Sequence, residues 1–383
     1  MQLGRAEVEG TAAGRGGDRV DLEHRGRLDP PAGTGSLPAD GRAGPARATI
    51  GSIMSTSFAE PVLAWYARNA RDLPWRAPGA TPWAVLVSEI MLQQTPVARV
   101  LPEYLGWMTR WPTPAALAAE PAGEAIRQWG RLGYPRRALR LHETATILVA
   151  RYGGSVPADL DALRALPGIG SYTAAAVASF AFGQRHAVLD TNVRRVLARL
   201  AAGQPWAGGS SSASVAERRL AESLLPAEPA VAARWSVAVM ELGALVCTAA
   251  SPRCGDCPVA RECAWLAAGR PAPPAGSAGL AGATGAAGAA GTAGLAGATR
   301  AAGGVGAGRR RTQKYDGTDR QCRGRLLAVL REASDPVHRA DFDAVWAGQA
   351  QLERALDGLV ADGLVDPLPD GRFALPGSAP LSR

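Results

Sequence analysis

Lysine is almost absent from this chain. Among 42 basic side chains in 383 residues, only Lys314 is a lysine, so nothing before it offers the ε-amine that Schiff-base chemistry uses. No run of eighteen or more apolar residues occurs and no charged-then-apolar leader opens the sequence, which reads as neither membrane-spanning nor secreted. Cysteine is scarce, with five in all. Four of them are bunched, the usage of metal ligands in a reducing compartment and not of a disulfide framework. Together these features predict a soluble cytoplasmic protein. Alternating strand patterns are missing from about 58 to 265, where one apolar-periodic helix follows another between short Gly/Pro breaks. The predicted fold is all-α.

What the chain does have is positive charge. The formal net charge is +8 and the pI about 9.8, a balance that favours a polyanionic partner. Residues 1–53 are Gly, Ala, Arg and Pro without apolar periodicity. They read either as disordered or as an extension preceding a true start at Met54. The first helical pattern runs from Phe58 to Ala70, and further ones cover 97–110, 136–150, 171–182, 191–200, 214–225 and 229–246. Pro82 stands near one helix start, Asp159 and Ser171 are candidate caps, and Gly153-Gly154 marks a stop. Residues 267–311 form a flexible Gly/Ala linker in which Ala-Gly-Leu-Ala-Gly-Ala-Thr occurs at 278–284 and again at 293–299. After it, 312–383 reads as a small tethered module with two helices, around Leu326 and Leu356. A strand-turn-strand follows over 364–375, so the module is winged-helix-like.

Cys247, Cys254, Cys257 and Cys263 form C-x6-C-x2-C-x5-C, a spacing that can surround either a [4Fe–4S] cluster or a tetrahedral zinc. Arg253 in their loop can approach a phosphate, and Cys322, outside the motif, reads as an ordinary thiol. Leu166-Pro167-Gly168-Ile169-Gly170 lies between two helical stretches. Such a turn leaves backbone amides free at the next helix start, a site that holds a phosphate without reading sequence. Glu89 interrupts the apolar run from Val85 to Leu92. It is either a desolvated carboxyl with a raised pKa, fit for acid catalysis, or an exposed helix position. Asp190 offers a second carboxylate and equally suits a helix N-cap. Cleaving an N-glycosidic bond needs both a proton for the departing base and negative charge near the developing sugar cation, which two carboxylates in different environments supply.

The cysteine cluster, the hairpin with Leu189-Asp190, and Ser88-Glu89-Ile90-Met91-Leu92-Gln93-Gln94-Thr95 together resemble the MutY-type A/G-specific adenine DNA glycosylases of the helix-hairpin-helix/endonuclease III superfamily. The resemblance spans about 58–265, within a glycosylase domain set at 54–266, and it implies a two-lobed glycosylase with a DNA groove between the lobes and one [4Fe–4S] cluster on the four cysteines. The implied substrate is double-stranded DNA holding A opposite 8-oxoguanine or G, bound by a monomer. By the same resemblance Glu89 protonates the flipped adenine and activates water, and Asp190 stabilises the oxocarbenium ion, with Tyr172 and Asn192 lining the sugar side. Gln93 and Gln94 resemble the wedge that fills the vacated stack. Leu132 and Tyr134 resemble contacts to the opposing guanine, Thr95 is a further contact, and Gly168 and Gly170 hold the backbone. Arg71, Leu73, Trp75, Arg76 and Glu241 match positions near the bound adenine, although Trp75 equally suits helix packing and Tyr134 a core aromatic. Endonuclease III relatives carry a lysine where Tyr172 stands, so the enzyme is expected to be monofunctional. Two departures stand out: Tyr134-Pro135 replaces the family's Tyr-Tyr, and the winged-helix-like module stands where the family carries a Nudix-like domain. A thymine/uracil mismatch glycosylase on the same scaffold, or a non-enzymatic iron–sulfur DNA-binding sensor, are the competing readings.

Overall fold

The computed structural model describes residues 48–205, 212–272 and 315–378, with side chains from 58 onward. Most of the expected N-terminal extension and of the linker therefore lies outside the described residues. The first helix, α1 (Ala48–Asn69), runs through Met54, so the expected boundary at 53/54 falls inside it.

After a 3-10 turn at Pro74–Arg76 come α2 (Pro82–Leu92), α3 (Val97–Arg110), α4 (Pro114–Ala118), α5 (Ala122–Trp129), α6 (Arg136–Tyr152), α7 (Leu160–Arg164) and α8 (Ser171–Phe182). These pack into the first lobe around Trp107, Trp111 and Trp129, all fully buried. Trp107 meets Trp111 edge-on at 4.6 Å and Trp129 at 5.7 Å, contacts worth about 1 kcal/mol each beyond area burial. The chain then returns to α1 and builds the second lobe from α9 (Thr191–Leu200), α10 (Val215–Leu224), α11 (Pro229–Leu245) and α12 (Ala264–Ala267). Its separate core holds Phe58, Val62 and Trp65 of α1 against Val196, Trp235 and Leu242. Two lobes with two cores match the sequence expectation.

Local chemistry sets the helix ends. Thr81, Asp159 and Asp190 accept from the backbone N–H three residues on, Ser214 and Glu217 form a reciprocal capping box, and Pro82 and Pro229 occupy first helical positions, where a missing N–H costs nothing. Gly153 closes α6 in the left-handed region at φ 59°, which suits glycine. One start differs from expectation: Gly170, not Ser171, is the N-cap of α8, and it brings no side-chain cap.

The C-terminal segment forms α13 (Asp319–Glu332), α14 (Arg339–Asp343), α15 (Gln349–Ala361), β1 (Asp366–Pro367) and β2 (Phe373–Ala374). The strands pair antiparallel with Asp366 opposite Ala374, and Val337 adds an isolated bridge to Phe373. The hairpin is shorter than the expected strands because Pro367 lacks a donor and Leu364 and Val365 turn into the core instead. The described residues belong to one compact unit, and the C-terminal core is continuous with that of the first lobe. No helix among the described residues is long and apolar enough to cross a membrane.

Candidate active site

Helix α2 is buried on every side, from Trp83 to Met91. Periodicity within it cannot expose Glu89, which is 7% accessible. Burial pushes its carboxyl up to about 7, the nearby charge of Asp190 adds to the rise, and a hydrogen bond with Tyr172 and the charge of Arg76 oppose it. Tyr172, in the first turn of α8, is itself driven up by burial and by the two carboxylates. The phenol thus bonds to Glu89 of the first lobe and feels the charge of Asp190 of the second.

Asp190 caps α9. Its Oδ1 accepts from Val193 N–H at 2.6 Å and its Oδ2 from Asn192 Nδ2 at 2.7 Å. Burial raises its pKa while these donors and Arg195 pull it back. The donors favour the charged form of Asp190, whereas Glu89 has only Tyr172 and a more distant Arg76. Near neutrality Glu89 is thus the carboxyl poised to hold a proton.

Glu241 of α11 ties the lobes together from the other side. It accepts from Arg71 through Nε and Nη2 at 2.7 Å each and from Arg76 Nη1 at 2.9 Å. Burial alone would raise it, but the Arg71 hydrogen bond and the two guanidinium charges hold it down to about 2. Leu73 and Trp75 are buried in the first-lobe core, Trp75 edge-on to Tyr104 at 4.9 Å. Among the five expected adenine-side residues, Arg76 alone lies close enough to act on Glu89 electrostatically.

The hairpin places Gly168 at φ 75°, and a Cβ there would meet the Arg140 side chain at 2.9 Å. Gly170, exposed and without a capping side chain, leaves the first amides of α8 open to an anion. Two neighbouring turns carry the remaining expected contacts. Gln94 is exposed at φ 53° and Tyr134 is 53% exposed at φ 48°. Left-handed backbone at two non-glycine residues is strain of the kind that clusters at functional sites. Tyr134 is no core aromatic. Gln93 donates to Thr173 Oγ1 at 3.3 Å. Thr95 and Leu132 are buried; they brace these turns from beneath.

Two arginines that the sequence did not single out hold this arrangement. Arg137 donates to the carbonyls of Ile90, Met91, Gln93 and Gly133 and to Thr95 Oγ1, so one side chain clamps both strained turns. Arg195 donates to Cys247 O at 2.7 Å, Gly243 O at 2.8 Å and Asn192 Oδ1 at 2.7 Å. It thereby links the cysteine loop to the amide that holds Asp190.

Cys247, Cys254, Cys257 and Cys263 all line one small, partly open cavity of about 30 Å³, with Arg199 and Trp265 at its edge. Among the described residues no group of three or more His, Cys, Asp or Glu side chains closes tightly enough to hold a single metal ion. Arg199 donates to Cys247 Sγ at 3.4 Å and to Thr248 O at 2.7 Å. Arg253 turns back to Leu245 O at 2.6 Å.

Residues 87–224, which contain Glu89, the hairpin and Asp190, match the HhH-GPD superfamily base excision DNA repair protein family. The fold and the site thus define a helix-hairpin-helix DNA repair protein. The adenine DNA glycosylase of Mycolicibacterium smegmatis is 47% identical over 331 residues, covering 86% of this chain and 99% of the relative. That of Mycobacterium tuberculosis is 50% identical over 320 residues, covering 82% and 92%. The chain belongs to the adenine DNA glycosylase family. Both matches are longer than the 58–265 stretch that carries the motifs, so further parts of the chain are shared with these relatives. A solved thermostable thymine-DNA glycosylase has a similar fold, with TM-score 0.51 and 28% identity over 56% of this chain and 98% of that one.

Proposed function

We propose that this chain is a monofunctional glycosylase that removes adenine from A:8-oxoguanine and A:G mispairs in duplex DNA, acting as a monomer in the cytoplasm. The observation that carries the reading is Glu89, a buried carboxyl with its pKa near neutrality, bonded to Tyr172 beside Asp190. A carboxyl poised at the working pH is the acid that base departure needs. Glu89 gives its proton to the flipped adenine, at N7, and the bonding pair of the N-glycosidic bond leaves with the base. The sugar becomes cationic at C1′. Asp190, kept anionic by its Val193 and Asn192 donors, faces that cation, and the ionised Glu89 then takes a proton from the attacking water. Tyr172 holds the two acids apart and in register.

The strained turns at Gln94 and Tyr134 suit a wedge and a contact to the opposing base. Residues 54–266 make up the catalytic body. The order α13, Val337 bridge, α14, α15, β-hairpin in 312–383 is that of a winged-helix unit. The four cysteines would hold a [4Fe–4S] cluster, whose contribution is to fix the loop that follows α11.

Likeness to a thymine-DNA glycosylase makes T:G and U:G the necessary controls. Duplexes holding A:8-oxoG, A:G, T:G and U:G, incubated with protein and then cleaved with alkali, test the assignment. Cleavage confined to T:G or U:G would overturn it. Nicking without alkali would overturn the monofunctional reading, which rests on a phenol at 172 and no lysine before 314.

A further inference from the structure

The C-terminal module is clasped to the first lobe by two arginines that cap each other's helices. Arg127 of α5 donates through Nη1 to the carbonyls of Leu330, Arg331 and Ala333 at the end of α13, and Arg331 of α13 donates to Ile126 O of α5 at 3.1 Å. Each guanidinium thus satisfies terminal carbonyls of the opposite helix. Beside the clasp, Gly123 N–H donates to Pro376 O at 2.7 Å. A Cβ at Gly123 would stand 2.7 Å from Leu375 Cβ and 2.9 Å from that oxygen, so only glycine permits this approach. Asp362 completes the contact, accepting from Arg136 of the lobe at 3.2 Å and from Arg323 of the module.

This docking carries α13 to the strained turn at Tyr134. The guanidinium of Arg320 lies 5.8 Å from the Tyr134 ring centre and that of Arg137 at 5.4 Å. Arg320 is exposed and makes no ion pair among the described residues. The same rim carries Arg99, which donates to Arg131 O, together with Arg131, Arg136 and Arg323. The carboxylates in reach are Asp362, Glu103 near Gly130, and Asp316 and Asp319 beside Arg320, of which Asp319 is engaged by Gln351 and Arg354 and Asp316 by Gln321. Exposed arginines therefore continue from the catalytic lobe onto the module, with Arg320 the one nearest Tyr134. In contrast, the third helix of the module, α15, shows solvent Gln349, Glu353, Arg354 and Asp357. Two carboxylates against one guanidinium is a poor face for a polyanion.

We propose that the C-terminal module is a fixed second DNA-binding element, and that it acts through Arg320 on a backbone phosphate next to the Tyr134 turn and not through α15. The inference rests on the DNA-glycosylase reading, since it supposes a duplex lying along this rim.

Fluorescence anisotropy of the full chain on an A:G duplex, over a salt series, tests it. Arg320→Ala should weaken binding about fivefold and reduce the slope of log Kd against log salt by about one phosphate. Arg320→Lys should restore both, because a phosphate accepts a point charge. Arg354→Ala should bind as the parent does. Gly123→Leu, which forces the module off α5, should weaken binding and leave Arg320→Ala without further effect. Unchanged binding by Arg320→Ala, or a loss confined to Arg354→Ala, would overturn the proposal. Adenine release from the same duplex by the unaltered protein is measured alongside. If release is absent while the Arg320 effect persists, it is the catalytic reading that fails and not the contact.

Discussion

The Glu89 carboxyl and the Tyr172 hydroxyl are hydrogen-bonded to one another at the junction of the two lobes. That pairing makes Glu89 both the reactive group and a liability to the fold. With its pKa raised from 4.5 to about 7, the group stabilises the native state least where it is ionised. Its contribution is fully present below pH 4.5 and is lost as pH rises through 7. Glu89→Gln should cut single-turnover adenine release by ~100-fold or more. It should also raise unfolding stability at pH 8 by up to about 3 kcal/mol, since a charge no longer has to be buried. Urea melts at pH 5 and pH 8 check the second half, because the variant's advantage must shrink to about a quarter at the lower pH. Full activity in the variant would remove Glu89 from the mechanism.

Tyr172→Phe isolates the hydrogen bond from the burial. The phenol favours the ionised carboxylate, so its loss should carry the Glu89 pKa above 7. Release depends on protonated Glu89, and the rate therefore falls as pH rises through that pKa. The falling limb of the single-turnover profile should move to higher pH in Tyr172→Phe, with the maximum lowered less than about tenfold. A limb that stays in place would show that the proton taken up near neutrality is not on Glu89.

Glu241 should shift the same limb in the opposite direction. It neutralises Arg76, the one cation that acts on Glu89. In Glu241→Gln, Arg76 is released toward Glu89, which favours the carboxylate and brings the limb to lower pH. The change also strands Arg71 and Arg76 in a partly buried position, at a cost of about 3 kcal/mol. The Glu241 contribution is present above pH 4.5 and lost as pH falls toward its folded value of about 2. A pH–rate series on the variant, paired with its thermal melt, separates the two effects.

Much of this was legible in the chain itself, and the gaps have physical reasons. The predicted helices at 97–110, 171–182 and 191–200 coincide with α3, α8 and α9; α3 and α9 carry a clear apolar period, whereas α8 is apolar nearly all round and is bounded by Gly170 and Gly183. Helices α4 and α14 were not read at all, and α7 only through its cap Asp159; five residues are too few to show a 3.6-residue repeat. Ser171 looked like a cap by residue type, yet Gly170 takes that position and leaves the amides open. Glu89 stayed ambiguous because periodicity assigns one exposed face, whereas α2 has none. Arg137 and Arg195 were invisible for a different reason. Where nearly every basic side chain is an arginine, neither residue type nor spacing sets a buried strut apart from a solvated charge.

The cysteine loop offers the last test, through a chain of contacts that ends at the sugar-facing acid. Arg195 holds Cys247 O and Asn192 Oδ1, and Asn192 in turn holds Asp190. Disordering the loop should therefore do more than lower stability. Cys257→Ser is expected to lose the broad visible absorbance, iron and labile sulfide of a [4Fe–4S] protein. It should also melt several degrees lower. Because Asp190 loses part of the support that favours its charged form, the acidic limb of the release profile should move upward in pH. Arg195→Ala should reproduce that upward shift while keeping the iron. Zinc without iron in the unaltered protein would instead assign the four thiols to a single tetrahedral ion. A cluster-free variant with an unchanged acidic limb would confine the loop to a purely local role.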